Sequence, residues 1–551
     1  IIKNLKFKTT FSYDYTTVKG EKWYDPRTSN GEDENGEVVK RIREYKKMVW
    51  SNTLSYLTTF NNIHHLDFLA GYEIDDTYND YLSGEAYNFT TPDKHAISNG
   101  MKTVSVGGSD SRYRLVSYLS RLNYDYKNKY YLGASFRVDG SSRLHRDNRW
   151  GTFWSVSGAW RTIEEEFMQP VKDWLTDLRI RASYGVNGTL PSDYFGYMGL
   201  SSISGGYLEQ PGIQMSQIAN PNLKWETNYN MNIGLDFGFW DRLNFTIEYY
   251  TRTTKNLLMD CPVSMTTGFS SYLMNIGEVK NKGIELTINS TNIKIKDFSW
   301  NTTFNLGHNS NKVVKLDGEQ TQIVSGTQIH KVGSSYRTFY VQEFAGINPE
   351  TGNPLFYTNE LDENGNYIKE ITENSKNAQF IPYKHAEPTV NGGISNSLRY
   401  KWLDLNFLFS YQFGGYSYDT WAQKTEHGGY DSYANIPTYY RDSWKKPGDQ
   451  TNIEVYMPGK SSSVSMHKIT SSRRIHSTDY FRLKNITFGI TLPKEWTNKI
   501  NIGNVRFYAS ASNLWTWAAY DNYDPEAVSA GSATQTTPPL KTVTFGLNIN
   551  F

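Results

Sequence analysis

Only one of the 551 residues is cysteine, Cys261, so the chain makes no internal disulfide. Its neighbours Asp260 and Pro262 mark a turn or loop, which suits a structural thiol better than a nucleophile. An excess of one charge is also missing, with 57 Lys and Arg against 56 Asp and Glu. A protein tracking phosphates would carry a clear positive surplus, so no nucleic-acid partner is expected. No stretch approaches the roughly 18 consecutive apolar residues of a membrane-crossing helix. With 38% hydrophobic residues and a mean hydropathy of −0.62, an α-helical membrane protein is excluded. A transmembrane β-barrel stays open, because only alternate strand residues face lipid. The chain opens Ile1-Ile2-Lys3 without the features of a signal peptide, so an outer-membrane protein would carry further sequence before Ile1. No nucleophile elbow, zinc-binding His motif or phosphate loop is found, and no enzyme activity is expected.

Aromatic residues, in contrast, are abundant at 15%, with 41 Tyr, 27 Phe and 15 Trp, as in barrels with aromatic girdles at both water interfaces. The final residues alternate Val543, Phe545, Leu547, Ile549 and Phe551 with polar or small neighbours, the period of a strand with one apolar face. Ending such a strand on Phe is the habit of outer-membrane barrels of Gram-negative bacteria. About sixteen segments share this period. One sets Leu178, Ile180, Ala182, Tyr184 and Val186 against Arg179 and Arg181, which would point into the lumen. The connections alternate in length. Short links fall at residues 61–64, 126–128, 239–242, 292–297, 400–402 and 493–500. Long ones are expected at about 16–43, 81–111, 188–223, 312–388, 417–478 and 519–539. Periplasmic turns and long extracellular loops produce that rhythm. The fold class is therefore all-β, a transmembrane antiparallel β-barrel. On this evidence alone a passive sixteen-stranded porin is as good a description as part of a larger barrel.

Specific words then enter in order along the chain: Ser117-Tyr118-Leu119-Ser120-Arg121-Leu122-Asn123-Tyr124, Phe136-Arg137-Val138-Asp139-Gly140-Ser141-Ser142-Arg143, Arg181-Ala182-Ser183-Tyr184-Gly185 and Asn220-Pro221-Asn222-Leu223-Lys224-Trp225. Asn275-Ile276-Gly277-Glu278 through Leu286, Asp479-Tyr480-Phe481-Arg482 and Asp524-Pro525-Glu526 complete the set. In these words the chain resembles the SusC/RagA family of TonB-dependent outer-membrane transporters. The resemblance implies a 22-stranded barrel with an N-terminal plug. This chain would supply the last sixteen strands, with about six strands, the plug and the TonB-contacting segment lying before Ile1. It also implies active import of a bulky nutrient, an oligosaccharide or a peptide, under a SusD-like surface lipoprotein that acts as a lid. Two transporter–lid units would pair as a dimer.

Ligand or lid contact is expected from the outer loops. Tyr416, Tyr418, Trp421, Tyr430, Tyr433, Tyr439, Tyr440 and Trp444 form a dense aromatic run in one of them, suited to lid contact, packing within the loop or substrate contact. Arg179 and Arg181 are expected at the lumen wall, touching the substrate path or carboxylates of the plug. Asp362, Asn364, Asn366 and Glu373 have the spacing of a calcium loop, although Tyr367 stands where the sharp turn requires Gly. A hairpin centred on Asn364-Gly365 is the simpler account, and no cofactor is expected. The acidic stretch Glu32, Asp33, Glu34 and Glu37 reads as a solvated loop. His64 and His65, adjacent on a strand, point to opposite faces and make a poor metal pair.

Overall fold

In the computed structural model the described residues are 3–550, apart from 208–209, 317–320, 431–434, 460–465, 467–468, 501 and 534–535. Phe551, the terminal ring of the sequence argument, and Tyr433 therefore lie outside the described residues. Sixteen long strands share one sheet in strict chain order. They are β1 (Leu5–Tyr24), β2 (Glu37–Phe60), β3 (His64–Phe89), β4 (Gly100–Tyr126), β5 (Tyr130–Ser141), β6 (Trp150–Arg161), β7 (Leu175–Thr189) and β8 (Glu226–Phe239). The series continues with β9 (Leu243–Lys255), β10 (Glu278–Lys294), β11 (Phe298–Lys315), β12 (Val390–Tyr400), β13 (Leu403–Phe413), β14 (Tyr480–Thr491), β15 (Asn504–Ala518) and β16 (Thr542–Asn550). Contacts group residues 1–160, 182–230 and 254–276 into one compact unit and the remainder into a second.

Two-residue turns explain three of the short links, whereas the link expected at 493–500 spans 492–503 and carries the short helices Lys494–Thr497 and Asn498–Ile500. Asn61 and Asn62, Lys127 and Asn128, and Trp240 and Asp241 all have φ between 51° and 58°. Positive φ at both central residues is the type I′ geometry whose twist matches the flanking strands. The closing bonds run from the Ile63, Lys129 and Arg242 amides to the Phe60, Tyr126 and Phe239 carbonyls at 3.0–3.1 Å.

At the other ends the strands outrun the sequence pattern. Loops expected at 16–43 and 81–111 shrink to 25–36 and 90–99, because β1 with β2, and β3 with β4, stay paired beyond the apolar stretch. Polar cross-strand contacts carry the ladder there, including Tyr15 donating to Glu44 at 2.7 Å, Lys40 on Glu21 at 3.0 Å and Ser105 donating to Glu85 at 3.0 Å. Apolar alternation stops at the edge of the hydrocarbon, whereas backbone pairing does not.

In the first unit, one face of β3 to β6 is ringed by aromatics at two levels. Tyr126 stacks on Tyr130 and Tyr130 on Trp160 at about 6.3–6.4 Å, with His64 5.0 Å from Tyr126. Further along lie Tyr72, Tyr118 and Trp150, at 5.1 and 6.4 Å from one another in turn. From Tyr118 to Tyr126 the strand rises about 27 Å, which a tilt of about 40° turns into about 21 Å of height, close to an outer-membrane apolar band. The opposite face is polar, with Asp67 bonded by Arg121 and Asn123, and Arg137 held by Asp139 at 2.7 Å and Ser117 at 2.8 Å.

Glycines admit large rings at register positions. In the second unit Tyr411 lies opposite Gly392 and reaches across it to donate to the Asn305 carbonyl at 2.9 Å. A Cβ on Gly392 would stand 2.5 Å from the Tyr411 hydroxyl. Gly392→Val is therefore expected to expel the ring and lower stability by about 1–3 kcal/mol, measured as an earlier urea midpoint for the folded barrel.

Candidate functional site

The family words turn out to be clasps between loops and strands. Within the first unit Leu223 and Trp225 pack with Leu144 and Phe153. The Trp225 indole N–H donates to the Arg149 carbonyl at 3.0 Å, and Asn275 makes a reciprocal pair with the Lys224 backbone at 2.8 and 2.9 Å. Arg143 is held between the Tyr113 and Tyr194 rings, 4.0 and 4.4 Å from their centroids. In the second unit Arg482, only 2% exposed, extends from β14 to Asp524 at 2.5 Å and to Glu526, while its Nε donates to Thr516 at 3.0 Å. Lys484 joins Glu526 at 2.6 Å. Two separate words, Asp479-Tyr480-Phe481-Arg482 and Asp524-Pro525-Glu526, thus form one buried ionic knot that pins the loop following β15 to the sheet.

Loop segments of that unit build a layered rim. The short strand Tyr416–Asp419 pairs with Ile475–Ser477 on one side and, in parallel, with Ser532–Ala533 on the other. Tyr418 is fully buried with Phe339, Val341 and Ile475. The predicted aromatics divide accordingly. Tyr418 and Tyr440 are core; Tyr439 donates to Glu426 at 2.5 Å and stacks on Tyr440. Trp444 donates to the Pro349 carbonyl at 2.7 Å, and Tyr416 is half-buried under the Lys384 ammonium. Trp421, 41% exposed, and Tyr430, 37% exposed, face outward. Tyr440 and Trp444 also line an open cleft of about 630 Å³ together with Pro437, Tyr456, Arg441 and Lys445.

Beneath this surface lies a polar network that the sequence did not reveal. Asp419 caps the short helix Thr420–Thr425, accepting from the Trp421 and Ala422 amides at 3.0 and 2.8 Å, and its other oxygen accepts from the Tyr520 hydroxyl at 3.0 Å. His476 stacks on Tyr520 with centroids 3.7 Å apart. Tyr523 hydrogen-bonds Ser417, and burial pushes its hydroxyl up to about 12. Burial likewise depresses the His476 imidazole below its ordinary value. Asp419 and Glu426 oppose that shift, and Arg473 and Arg474 add to it. Asp419 and Tyr520 stand 101 residues apart in the chain, and Ser417 and Tyr523 stand 106 apart, so no local spacing announces them.

Arg179 and Arg181 sit on the polar strand face, as their alternation predicts. Arg179 Nη2 meets Asp236 at 2.8 Å, Arg181 Nε meets the same carboxylate at 3.0 Å, and Arg181 also reaches Glu248. Two carboxylates on neighbouring strands thus match two guanidiniums within the chain. Any plug carboxylate would be an additional acceptor. The Asp362 carboxylate is taken up by the Asn364 and Asn366 amides at 2.9 and 2.8 Å and by the Asn366 side chain, closing the hairpin Glu360–Leu361 to Tyr367–Ile368. Glu373 turns elsewhere, accepting from Asn348, Thr351 and Asn353. The four residues of the calcium spacing therefore do not converge. His64 bonds Tyr124 and His65 bonds Thr59, on opposite faces of the strand.

Two outcomes follow for the rim. Arg482→Ala leaves Asp524 without its guanidinium and Glu526 with Lys484 as its remaining cation, a loss of about 3 kcal/mol. It is expected to speed amide exchange in residues 519–533 by about a hundredfold. For His476, the folded value lies below the unfolded value of about 6.5, so the unfolded segment takes up the proton first as pH falls. Rim stability is therefore complete above that pH and declines below it. Trypsin nicking of residues 414–479 should increase between pH 7.5 and pH 5, and His476→Phe should flatten that dependence.

Similar proteins bear on what this scaffold belongs to. Residues 3–382 match the family described as TonB dependent receptor-like, beta-barrel. TonB-dependent receptor P3 of Formosa agariphila is 31% identical over 100% of this chain and 57% of its own length. TonB-dependent receptor SusC of Bacteroides thetaiotaomicron is 29% identical over 94% of this chain and 51% of its own length. The chain thus spans little more than half the length of these relatives. Among solved structures the RagAB peptide transporter superposes with a TM-score of 0.87 at 26% identity, covering 100% of this chain and 60% of that one. With the strand order, the aromatic levels and the clasped family words all in agreement, the chain belongs to the TonB-dependent receptor β-barrel family, in its SusC/RagA branch, and is an outer-membrane protein of Gram-negative bacteria.

Proposed function

We propose that this chain supplies the C-terminal barrel strands of a TonB-dependent importer. The importer takes up a bulky nutrient across the outer membrane beneath a SusD-like lipoprotein lid. The observation that carries this is the asymmetry of the strand ends: most connections at one end are two or three residues long, the links through 162–174 and 492–503 being the exceptions, and at the other end loops are ordered into a rim by buried ionic knots. Such a rim is suited to holding cargo and a partner, more than a passive pore requires. The strand edges support a larger barrel, because β1 and β16 stand at the ends of the sheet order and among the described residues pair with β2 and β15 alone. Further strands would pair those edges, and a plug pulled by TonB would gate the lumen. The RagAB structure is that of a peptide transporter, which supports a peptide cargo, and the family resemblance makes an oligosaccharide the other cargo class. Trp421, Tyr430 and the cleft at Tyr440 and Trp444 form the contact surface for cargo and lid. Arg179 and Arg181 line the path or the plug, and two transporter–lid units pair. No enzyme activity is proposed, in keeping with relatives named as receptors and a transporter.

Denaturing mass spectrometry of the complex purified from outer membrane tests this directly. A polypeptide longer than this chain, accompanied by a lipoprotein, is the expected result. A 63.4 kDa chain alone would transfer the assignment to a passive porin. In the intact protein, replacing Arg179 and Arg181 with Ala should raise leak of a small solute or lower uptake; no change in either would remove the pair from the transport path.

A further inference from the structure

The apolar face of β1 to β4 does not end at its upper aromatic level. Register places Tyr13, Met48, Asp76 and Arg114 in one row beyond that level, and Tyr15, Lys46, Tyr78 and Arg112 in the next. These residues share the face of Trp50, Tyr72 and Tyr118, which meets lipid, so the two rows lie just outside the hydrocarbon. They carry Arg112, Arg114 and Lys46 against Asp76, and Lys46 is also paired at 2.9 Å with Glu44 of the row beyond, which leaves the two arginines as the cations that face outward. Arg112 Nε and Arg114 Nε both donate to Asp76, at 2.7 and 2.9 Å, and Asp76 is nearly buried between them. Lys46 sits over the Tyr15 and Tyr78 rings at 5.8 and 5.7 Å. The arginine side chains are 51% and 58% exposed. Among the described residues the Nη groups of Arg114 and the Nη1 of Arg112 have no partner.

We propose that this fork binds the phosphate of an outer-leaflet glycolipid. Three observations carry it: continuity with the lipid-facing aromatic level, guanidinium geometry suited to a phosphate, and rigidity, since one shared carboxylate holds both arginines ready. Acyl chains against the apolar band deliver a phosphate to the height at which these donors stand. Glu44, Asp80 and Asp110 form the next row, about 7 Å further out along the strands, and set the outer limit of the anionic group. The bond is non-covalent. The proposal rests on the outer-membrane placement of the chain and not on the transport assignment.

The test uses the full-length protein extracted from outer membrane in mild detergent, with bound lipid A counted by mass spectrometry. The native protein should retain phosphorylated lipid A, and the Arg112→Gln/Arg114→Gln variant at least tenfold less. After delipidation, phosphorylated lipid A should rebind and its dephosphorylated form should not. Equal retention by the two proteins overturns the proposal, and so does displacement of the lipid by millimolar inorganic phosphate, which would make the fork a simple anion site. Should the double variant fail to fold, Lys46→Gln carries the test: a several-fold loss of lipid supports the site and unchanged retention overturns it. Absence of the protein from the outer-membrane fraction would instead defeat the placement itself.

Discussion

Hydrocarbon offers a peptide group no hydrogen-bond partner, and nearly everything in this chain follows from that. Each N–H and C=O must be met by a neighbouring strand, which permits long antiparallel ladders and little else. The two-residue period of apolar side chains is the mark this leaves on the sequence. The same constraint accounts for mean hydropathy that looks ordinary for a water-soluble protein, since half of each strand faces away from lipid. Outside the membrane the constraint relaxes. There the ladders of β1 to β4 run on with polar pairs, and the chain is free to spend residues on loops.

Freed from lipid, the long loops need another source of order. A loop that merely met water would gain little from its aromatic content. These segments instead bury Tyr418, Tyr440 and Phe339, and they close on ionic and hydrogen-bonded knots at Arg482 and Asp419. Such knots add little net stability when whole and cost a great deal when half-removed. They favour one arrangement over its alternatives, which suits a surface that must present fixed contacts. Beside them, buried His476 also makes the rim sensitive to acid.

Alternation and turn spacing made the strands legible, because in each case a local rule governs a local structure. The same rule sets Arg179 and Arg181 of β7 on one face with Asp236. Strand ends were less legible: apolar pattern marks where lipid stops, not where pairing stops, and residues 16–24 and 81–89 extend past it. The aromatic run of the outer loop was visible, but its division into core and exposed rings was not. Whether Tyr418 or Trp421 is buried depends on Phe339 and Ile475, which are far away in sequence. Arg482 and Glu526 were both quoted as words, yet nothing in either word points to the other.

The pairing of large rings with glycines bears on how the sheet avoids misassembly. A slip of one residue between strands exposes the wrong face and is rejected at once. A slip of two restores the alternation and would pass unnoticed by hydrophobicity alone. In the native register Tyr411 faces Gly392, Tyr508 faces Gly546 and Trp150 faces Gly140. Two residues out of step, those rings would meet Val390 or Ile394, Thr544 or Asn548, and Val138 on one side. Glycine thus acts as a key cut for a single tooth, and the proofreading of a membrane sheet is written in the residues that have no side chain.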